Sequence, residues 1–177
     1  IGTRPDCLGE DVLYFLEKLN KIKPVWIELG LQTSNEKTAE YIRRCYPNST
    51  YEKAVQDLKN RGITVITHII IGLPNETKED ILKTVDFAVE NKTDGVKLQL
   101  LHILKDTDLY KDYKKGLVKP LTLEEYMDIL FACIERIPEN IVIHRITGDA
   151  PKKYLVEPVW SADKKNVLNT INRELEK

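Results

Sequence analysis

Val25-Trp26-Ile27-Glu28-Leu29-Gly30-Leu31-Gln32 is the stretch on which the reading of this chain turns. Val25, Ile27, Leu29 and Leu31 are apolar, and Trp26, Glu28, Gly30 and Gln32 fall between them. That period of two marks a β-strand with one greasy face. If the apolar face packs on helices, Glu28, Gly30 and Gln32 look inward from a sheet, and Gln32 stands at its carboxyl end. In parallel α/β proteins that end is where ligands bind.

Working outward, Asp11 to Lys23 repeats apolar residues at Val12, Phe15, Leu16 and Leu19, the spacing of an amphipathic helix. Glu36 to Cys45 and Thr50 to Asn60 read as helices, the second stopped by Gly62. Ile63 to Ile71 is almost continuously apolar, as a strand covered on both faces should be, and Thr64, Ile66, His68, Ile70 and Gly72 share one side of it. Pro74-Asn75-Glu76 turns the chain, and Thr77 with Asp80 starts a helix over Lys78 to Glu90. Val96 to Ile103 alternates again, with Lys97 and Gln99 between apolar residues. A short helix over Leu109 to Lys115 is followed by a Thr122/Glu125 capping box for a helix running to Arg136. Ile141 to Ile146 is the last strand, Gly148 to Pro158 reads as irregular, and Asp163 to Glu174 closes the chain as a helix.

Strands alternating with helices predict an α/β fold of parallel strands joined by crossovers. An open sheet and an arc of a barrel both satisfy that order. Polar inward faces on three successive strands favour the arc, because a closed barrel fills its centre with branched apolar residues. No boundary divides the chain, so residues 1–147 are expected to carry the strands and helices of the arc, and residues 148–177 a carboxyl-terminal extension with the closing helix.

The 177 residues, 42% hydrophobic and 31% charged, suffice for one core. No apolar run approaches the roughly 20 residues of a membrane span and no basic leader precedes one, so the expected location is cytoplasmic, without a membrane partner. The chain starts at Ile1, and Ile1-Gly2-Thr3-Arg4-Pro5-Asp6 reads as the end of a strand entering a loop, which predicts a cut through a longer protein. Cys7, Cys45 and Cys133 are too scattered for a disulfide framework or a metal site and read as reduced thiols. A net charge of −1 announces no basic field, and Lys111, Lys114 and Lys115, like Lys152 and Lys153, read as solvated faces.

Gln32, then His68, Ile70 and Gly72, then Lys97, Gln99 and His102 converge on one mouth in this reading. Glycines at strand ends admit a flat or phosphorylated ligand close to the backbone, which points to a polar ligand with a planar part. Each residue also has a plain reading. Gly72-Leu73-Pro74 is an ordinary turn, His68 a hydrogen-bonded core histidine, Glu28 the partner of a neighbouring lysine, and Arg43 with Arg44 a solvated helix face. There is no phosphate-cradling glycine loop and no nucleophile elbow.

Taken together, Thr3-Arg4-Pro5-Asp6, Glu28-Leu29-Gly30-Leu31-Gln32-Thr33 and His68-Ile69-Ile70-Ile71-Gly72-Leu73-Pro74 with Glu76-Thr77 resemble the second half of a radical S-adenosylmethionine enzyme. They resemble in particular the group containing the elongator catalytic subunit and the oxygen-independent coproporphyrinogen dehydrogenase. Lys97-Leu98-Gln99-Leu100-Leu101-His102 and His144-Arg145-Ile146-Thr147-Gly148-Asp149, with Pro158 and Trp160, resemble more narrowly the YhcC-like bacterial branch.

The resemblance implies a partial (β/α)6 TIM-like barrel, here lacking its amino-terminal side. It implies an enzyme in which a three-cysteine 4Fe-4S cluster donates an electron to S-adenosylmethionine, yielding a deoxyadenosyl radical that abstracts hydrogen from substrate. Modification of a transfer-RNA wobble uridine is the substrate it points to, and an external electron donor is a further partner. By motif position Arg44, twelve residues after Gln32, matches the arginine that pairs with the cofactor carboxylate. Gln32 matches a polar residue beside the ribose or substrate, Ile70 and Gly72 the strand lining the adenine, and Glu28, His68, Lys97, Gln99 and His102 the substrate-facing side. No catalytic residue is assigned.

The closely spaced cysteines are absent from this chain, so it is expected to bind no cluster, to hold no cofactor tightly and to be inactive alone. A non-catalytic module recruiting RNA or a protein, and an ordinary phosphate-binding barrel enzyme cut short, are the competing readings. A severed barrel also exposes a strand edge, which predicts self-association.

Overall fold

In the computed structural model, which describes residues 1–176, five parallel strands form one sheet. They are β1 (Gly2–Thr3), β2 (Trp26–Gln32), β3 (Thr64–Ile71), β4 (Gly95–Leu100) and β6 (Val142–Arg145), hydrogen-bonded in the order β1-β2-β3-β4-β6. β1 and β6 are edge strands that do not pair with each other, so the parallel sheet is an open arc rather than a closed barrel. Strand β5 (Ile103–Leu104) pairs antiparallel with β7 (Leu155–Glu157) as a separate two-stranded sheet beyond the end of β4.

The helices are α1 (Glu10–Ile22), α2 (Glu36–Tyr41), α3 (Asn48–Asn60), α4 (Lys78–Glu90), α5 (Asp108–Lys114), α6 (Leu123–Arg136) and α7 (Lys164–Leu175). The capping boxes expected from the sequence are formed. Thr77 accepts from the amide of Asp80 while the Asp80 carboxylate accepts from the amide of Thr77, and Thr122 and Glu125 do the same at α6.

The period-two pattern sorts the two faces of the sheet. Ile27, Leu29 and Leu31 of β2, Val65, Ile69 and Ile71 of β3, and Val96, Leu98 and Leu100 of β4 are buried in a single core. Against them pack Leu13 and Leu16 of α1, Tyr51, Val55 and Leu58 of α3, Ile81 and Val85 of α4, Tyr126, Leu130 and Cys133 of α6, and Val167 and Ile171 of α7. The polar atoms that enter this layer are paired in series. Tyr51 Oη lies 2.6 Å from Thr67 Oγ1, which lies 2.8 Å from Thr93 Oγ1. The opposite face carries Glu28, His68, Lys97 and Gln99, none of them fully buried, beside Ile66, which is.

Three expectations need correction. The helix predicted to reach Cys45 stops at Tyr41, because Arg43 and Cys45 adopt left-handed backbone angles (φ 57° and 66°) that break the α-helical turn. The strand predicted over Val96 to Ile103 is interrupted after Leu100, and Ile103 restarts as β5 in a different sheet. The stretch read as irregular contains β7, so the fold is not parallel throughout. Leu155 pairs with Leu104 and Glu157 with Ile103, which is buried.

Candidate functional site

Glu28, His68, Lys97 and Gln99 meet on the open face. Parallel pairing sets Gly30 opposite His68 and His68 opposite Lys97, so residues of three strands lie side by side there. The Glu28 carboxylate accepts from Lys97 Nζ at 2.6 Å through one oxygen and lies 3.0 Å from His68 Nε2 through the other. His68 Nδ1 lies 2.9 Å from the Gln99 side-chain nitrogen. The Lys97 ammonium and the His68 ring hold the Glu28 carboxyl below its ordinary range. Burial, with Lys97 nearby, pushes the His68 imidazole down, so it is neutral at pH 7. In that state Nε2–H donates to Glu28 and Nδ1 accepts from Gln99.

At the carboxyl ends of β2, β3 and β4 the face opens into a cavity of about 540 Å³. Gln32, Ile70, Leu73, Pro74 and Leu101 form its sheet side, Tyr41 to Arg44 one flank, and Asp108, Leu109 and Asp112 of α5 the other. A bulge in β2 between Gly30 and Gln32 gives Gln32 a left-handed backbone (φ 67°) and turns it toward this end. A Cβ at Gly30 would stand 2.6 Å from Nε2 of the Gln32 side chain and would push that flexible amide aside.

Arg44 borders the cavity, but its guanidinium is nearly all buried, with a side-chain exposure of 2%. Nε donates to the Tyr46 carbonyl at 2.9 Å, Nη1 to the carbonyls of Thr33 at 2.7 Å and Leu31 at 3.2 Å, and Nη2 to Glu36 at 3.1 Å. Four of its five N–H groups are thus committed to the turn that follows β2, and one on Nη2 has no partner among these. The adjacent Arg43 is exposed and pairs with Asp108 of α5 at 2.9 Å.

Two candidate residues lie elsewhere. Gly72 adopts φ 93°, and the space a side chain would fill is occupied by Leu121, with its Cδ1 2.9 Å from the built Cβ position. His102 sits past the end of β4 with its ring against Gly148, and burial pushes its imidazole down. The residues that sequence reasoning passed over are Tyr41, Leu73, Leu101 and the α5 pair Asp108 and Asp112. A signal existed in the i, i+4 spacing of those two aspartates, which places both on one side of α5.

Among the described residues no three His, Cys, Asp or Glu side chains are grouped to hold a metal ion. Cys7 and Cys45 are exposed and Cys133 is buried in the core. No described helix is long and apolar enough to cross a membrane.

Compared with known proteins, residues 1–88 match the Radical SAM superfamily and residues 93–177 the Radical_SAM C-terminal domain. YtqA of Bacillus subtilis is 42% identical over 99% of the chain, and YhcC of Escherichia coli K12 is 35% identical over the same share. The chain spans 55% and 57% of the length of those two relatives. A tRNA uridine(34) acetyltransferase of Methanocaldococcus jannaschii is 31% identical over the whole chain, which spans 32% of it. Among solved structures, Elp3 of Methanocaldococcus infernus superposes with a TM-score of 0.84 at 26% identity, over 99% of this chain and 41% of that one.

Proposed function

The chain belongs to the radical SAM superfamily, and from that premise we propose that it is the carboxyl-terminal part of a radical S-adenosylmethionine enzyme that modifies RNA. The cavity at the ends of β2, β3 and β4 is its nucleoside site. The single observation that carries the reading is that cavity, about 540 Å³ and lined by Gln32, Ile70 and Arg44. It is large enough for a nucleoside with a short polar tail.

The residues present fit S-adenosylmethionine. Ile70, Leu73 and Leu101 offer apolar walls to a flat base, and Gln32 offers an amide to a ribose or base edge. Arg44 brings a cation whose only carboxylate partner among the described residues is the half-exposed Glu36, together with one uncommitted N–H, to which a ligand carboxylate is complementary. Were S-adenosylmethionine held there, it would supply hydrogen-abstracting chemistry at its 5′-carbon only once a donor outside the described residues reduced the sulfonium by one electron and methionine left as the leaving group. The Glu28–His68–Gln99–Lys97 group forms a rigid polar floor whose charges are internally balanced, suited to orienting a substrate by hydrogen bonds without adding a net field.

The residues present do not fit an iron–sulfur cluster. Among those described there is no thiolate group to hold one, and no step is derived through it. Transfer RNA is proposed as substrate because a relative matched along the whole chain carries tRNA uridine(34) in its name. The second reading is an RNA-binding module without chemistry.

The test uses the full-length protein, purified without oxygen and reduced in the presence of S-adenosylmethionine. Release of 5′-deoxyadenosine is expected, together with saturable binding that Ile70→Asp weakens at least tenfold while the fold, checked by circular dichroism, persists. Binding of tRNA with neither cofactor binding nor cofactor cleavage would replace this reading with the second one.

A further inference from the structure

Beyond the mouth cavity, the chain concentrates positive charge on one rim. Residues 103–119 and 150–165 hold nine lysines and five carboxylates, whereas the whole chain is balanced at 27 basic to 28 acidic residues. The β5–β7 pairing joins the two segments, because the Lys105 amide donates to the Tyr154 carbonyl at 2.8 Å. Tyr154 is exposed, and Lys153 Nζ lies 5.5 Å from its ring centroid. Beside them Lys152, Lys164 and Lys165 line a groove of about 310 Å³ together with Leu155 and Ser161.

Three carboxylates beside the groove are already engaged, while Asp106, next to Lys105, is exposed. Asp149 pairs with Lys164 at 2.9 Å, Asp163 caps α7 by accepting from the Asn166 amide, and Glu157 accepts from the Val159 amide. Lys105, Lys152, Lys153 and Lys165 form no ion pair with a described carboxylate. The groove also adjoins the mouth. Leu101 lines the cavity, the next residue His102 packs on Gly148, and Asp149 lines the groove.

We propose that this rim, formed by Lys105, Lys152, Lys153 and Lys165 around the exposed Tyr154 ring, is an RNA-docking surface that grips the phosphate backbone of a single-stranded or looped segment next to the mouth cavity. Unpaired lysines spaced around an aromatic face are the combination that binds such strands, the cations meeting phosphates and the ring offering a stacking platform for a base. A membrane surface or an acidic protein would also meet the charge; an exposed ring set among unpaired lysines favours a strand that carries bases to stack as well as phosphates. The inference rests on the functional reading above for the kind of nucleic acid, and deepens it by saying where the substrate enters.

The experiment measures fluorescence anisotropy of a labelled tRNA transcript against salt concentration, using the full-length protein. A triple variant, Lys152→Ala, Lys153→Ala and Lys165→Ala, alters exposed side chains only. It is expected to weaken tRNA binding at least tenfold and to lower the salt slope by about 2, near 0.7 per lost single-strand contact. The matched control Lys18→Ala, Lys23→Ala and Lys83→Ala is expected to bind as the parent does, and Tyr154→Ala to lose further affinity at high salt. Unchanged affinity and slope in the triple variant would overturn the proposal, as would competition by polyglutamate as effective as that by tRNA. S-adenosylmethionine affinity, measured in parallel, separates the two readings. If the parent binds tRNA through this rim but binds no cofactor, only the assignment of the cavity fails.

Discussion

His68 Nε2 stands 3.0 Å from Oε2 of Glu28; this contact fixes the tautomer of the imidazole and favours its charged form, but burial outweighs it and sets the sense of the pH dependence. Burial lowers the pKa of His68, and the bond from Lys97 lowers that of Glu28. For both groups the folded state binds its proton more weakly than the unfolded one. Their contribution is therefore present above the unfolded values, 6.5 and 4.5, and is lost as pH falls through the folded ones. Thermal melts are expected to decline below pH 6.5 and again below 4.5, with His68→Phe removing the first decline. Nitrogen chemical shifts at pH 7 should report a neutral ring protonated at Nε2. A doubly protonated ring at pH 7 would contradict the assignment.

Glu76 titrates in the opposite sense. Its carboxyl accepts from the Thr33 hydroxyl through Oε1, Oε2 is buried with no hydrogen-bond partner, and burial pushes its pKa up. A carboxyl with a raised folded pKa contributes stability below its unfolded value of 4.5 that is lost as pH rises through the folded one. Glu76→Gln is accordingly expected to match the parent at pH 4 and to exceed it at pH 8 by on the order of 1 kcal/mol, read as a shift of a few degrees in Tm. A variant less stable than the parent at pH 8 would show that the ionised carboxylate is compensated.

Arg44 couples the site to the fold. Replacing it by Met strands the backbone carbonyls of Thr33 and Tyr46, while that of Leu31 keeps the Thr33 amide, and leaves Glu36 without its cation. The expected cost in urea unfolding is about 3–5 kcal/mol. Arg44→Lys retains the charge but not the fork, and should recover only part of it. A cost below about 1 kcal/mol for the Met variant would mean that water replaces the guanidinium.

The parts of the fold that follow from local pattern are those the sequence made legible. Alternation in Trp26–Gln32 and Gly95–Leu100, and the Thr77/Asp80 and Thr122/Glu125 caps, depend on neighbours along the chain and read directly. The β5–β7 ladder does not, because two- and three-residue strands carry no period and owe their existence to a partner some fifty residues away. The same limit applies to the site. Glu28, His68, Lys97 and Gln99 could be placed on one face by counting, but that they satisfy one another required the register. Arg43 and Arg44 look alike in sequence. A left-handed turn at Arg43 sends the first into solvent and the second under β2. Short α5 reads as a solvated lysine helix until its aspartates are seen against the cavity.

That helix gives the last prediction. α5 buries no residue, and both ends of its excursion carry left-handed backbone, Asp106 at φ 63° and Gly116 at φ 75°. What ties it to the rim of the cavity is the pair Arg43–Asp108 at 2.9 Å and the bond from Tyr41 Oη to Asp112 at 2.8 Å, both exposed. Exposed pairs of this kind contribute about 0.2–1 kcal/mol each, far less than a domain's total stability. Breaking both therefore changes the local equilibrium and hardly the global one. The double variant Tyr41→Phe and Arg43→Gln is expected to keep its urea midpoint within error while amide exchange across 108–114 accelerates several-fold. Faster exchange there alone would identify α5 as a locally opening flank of the cavity, whereas a shifted midpoint would show that it is integral to the core.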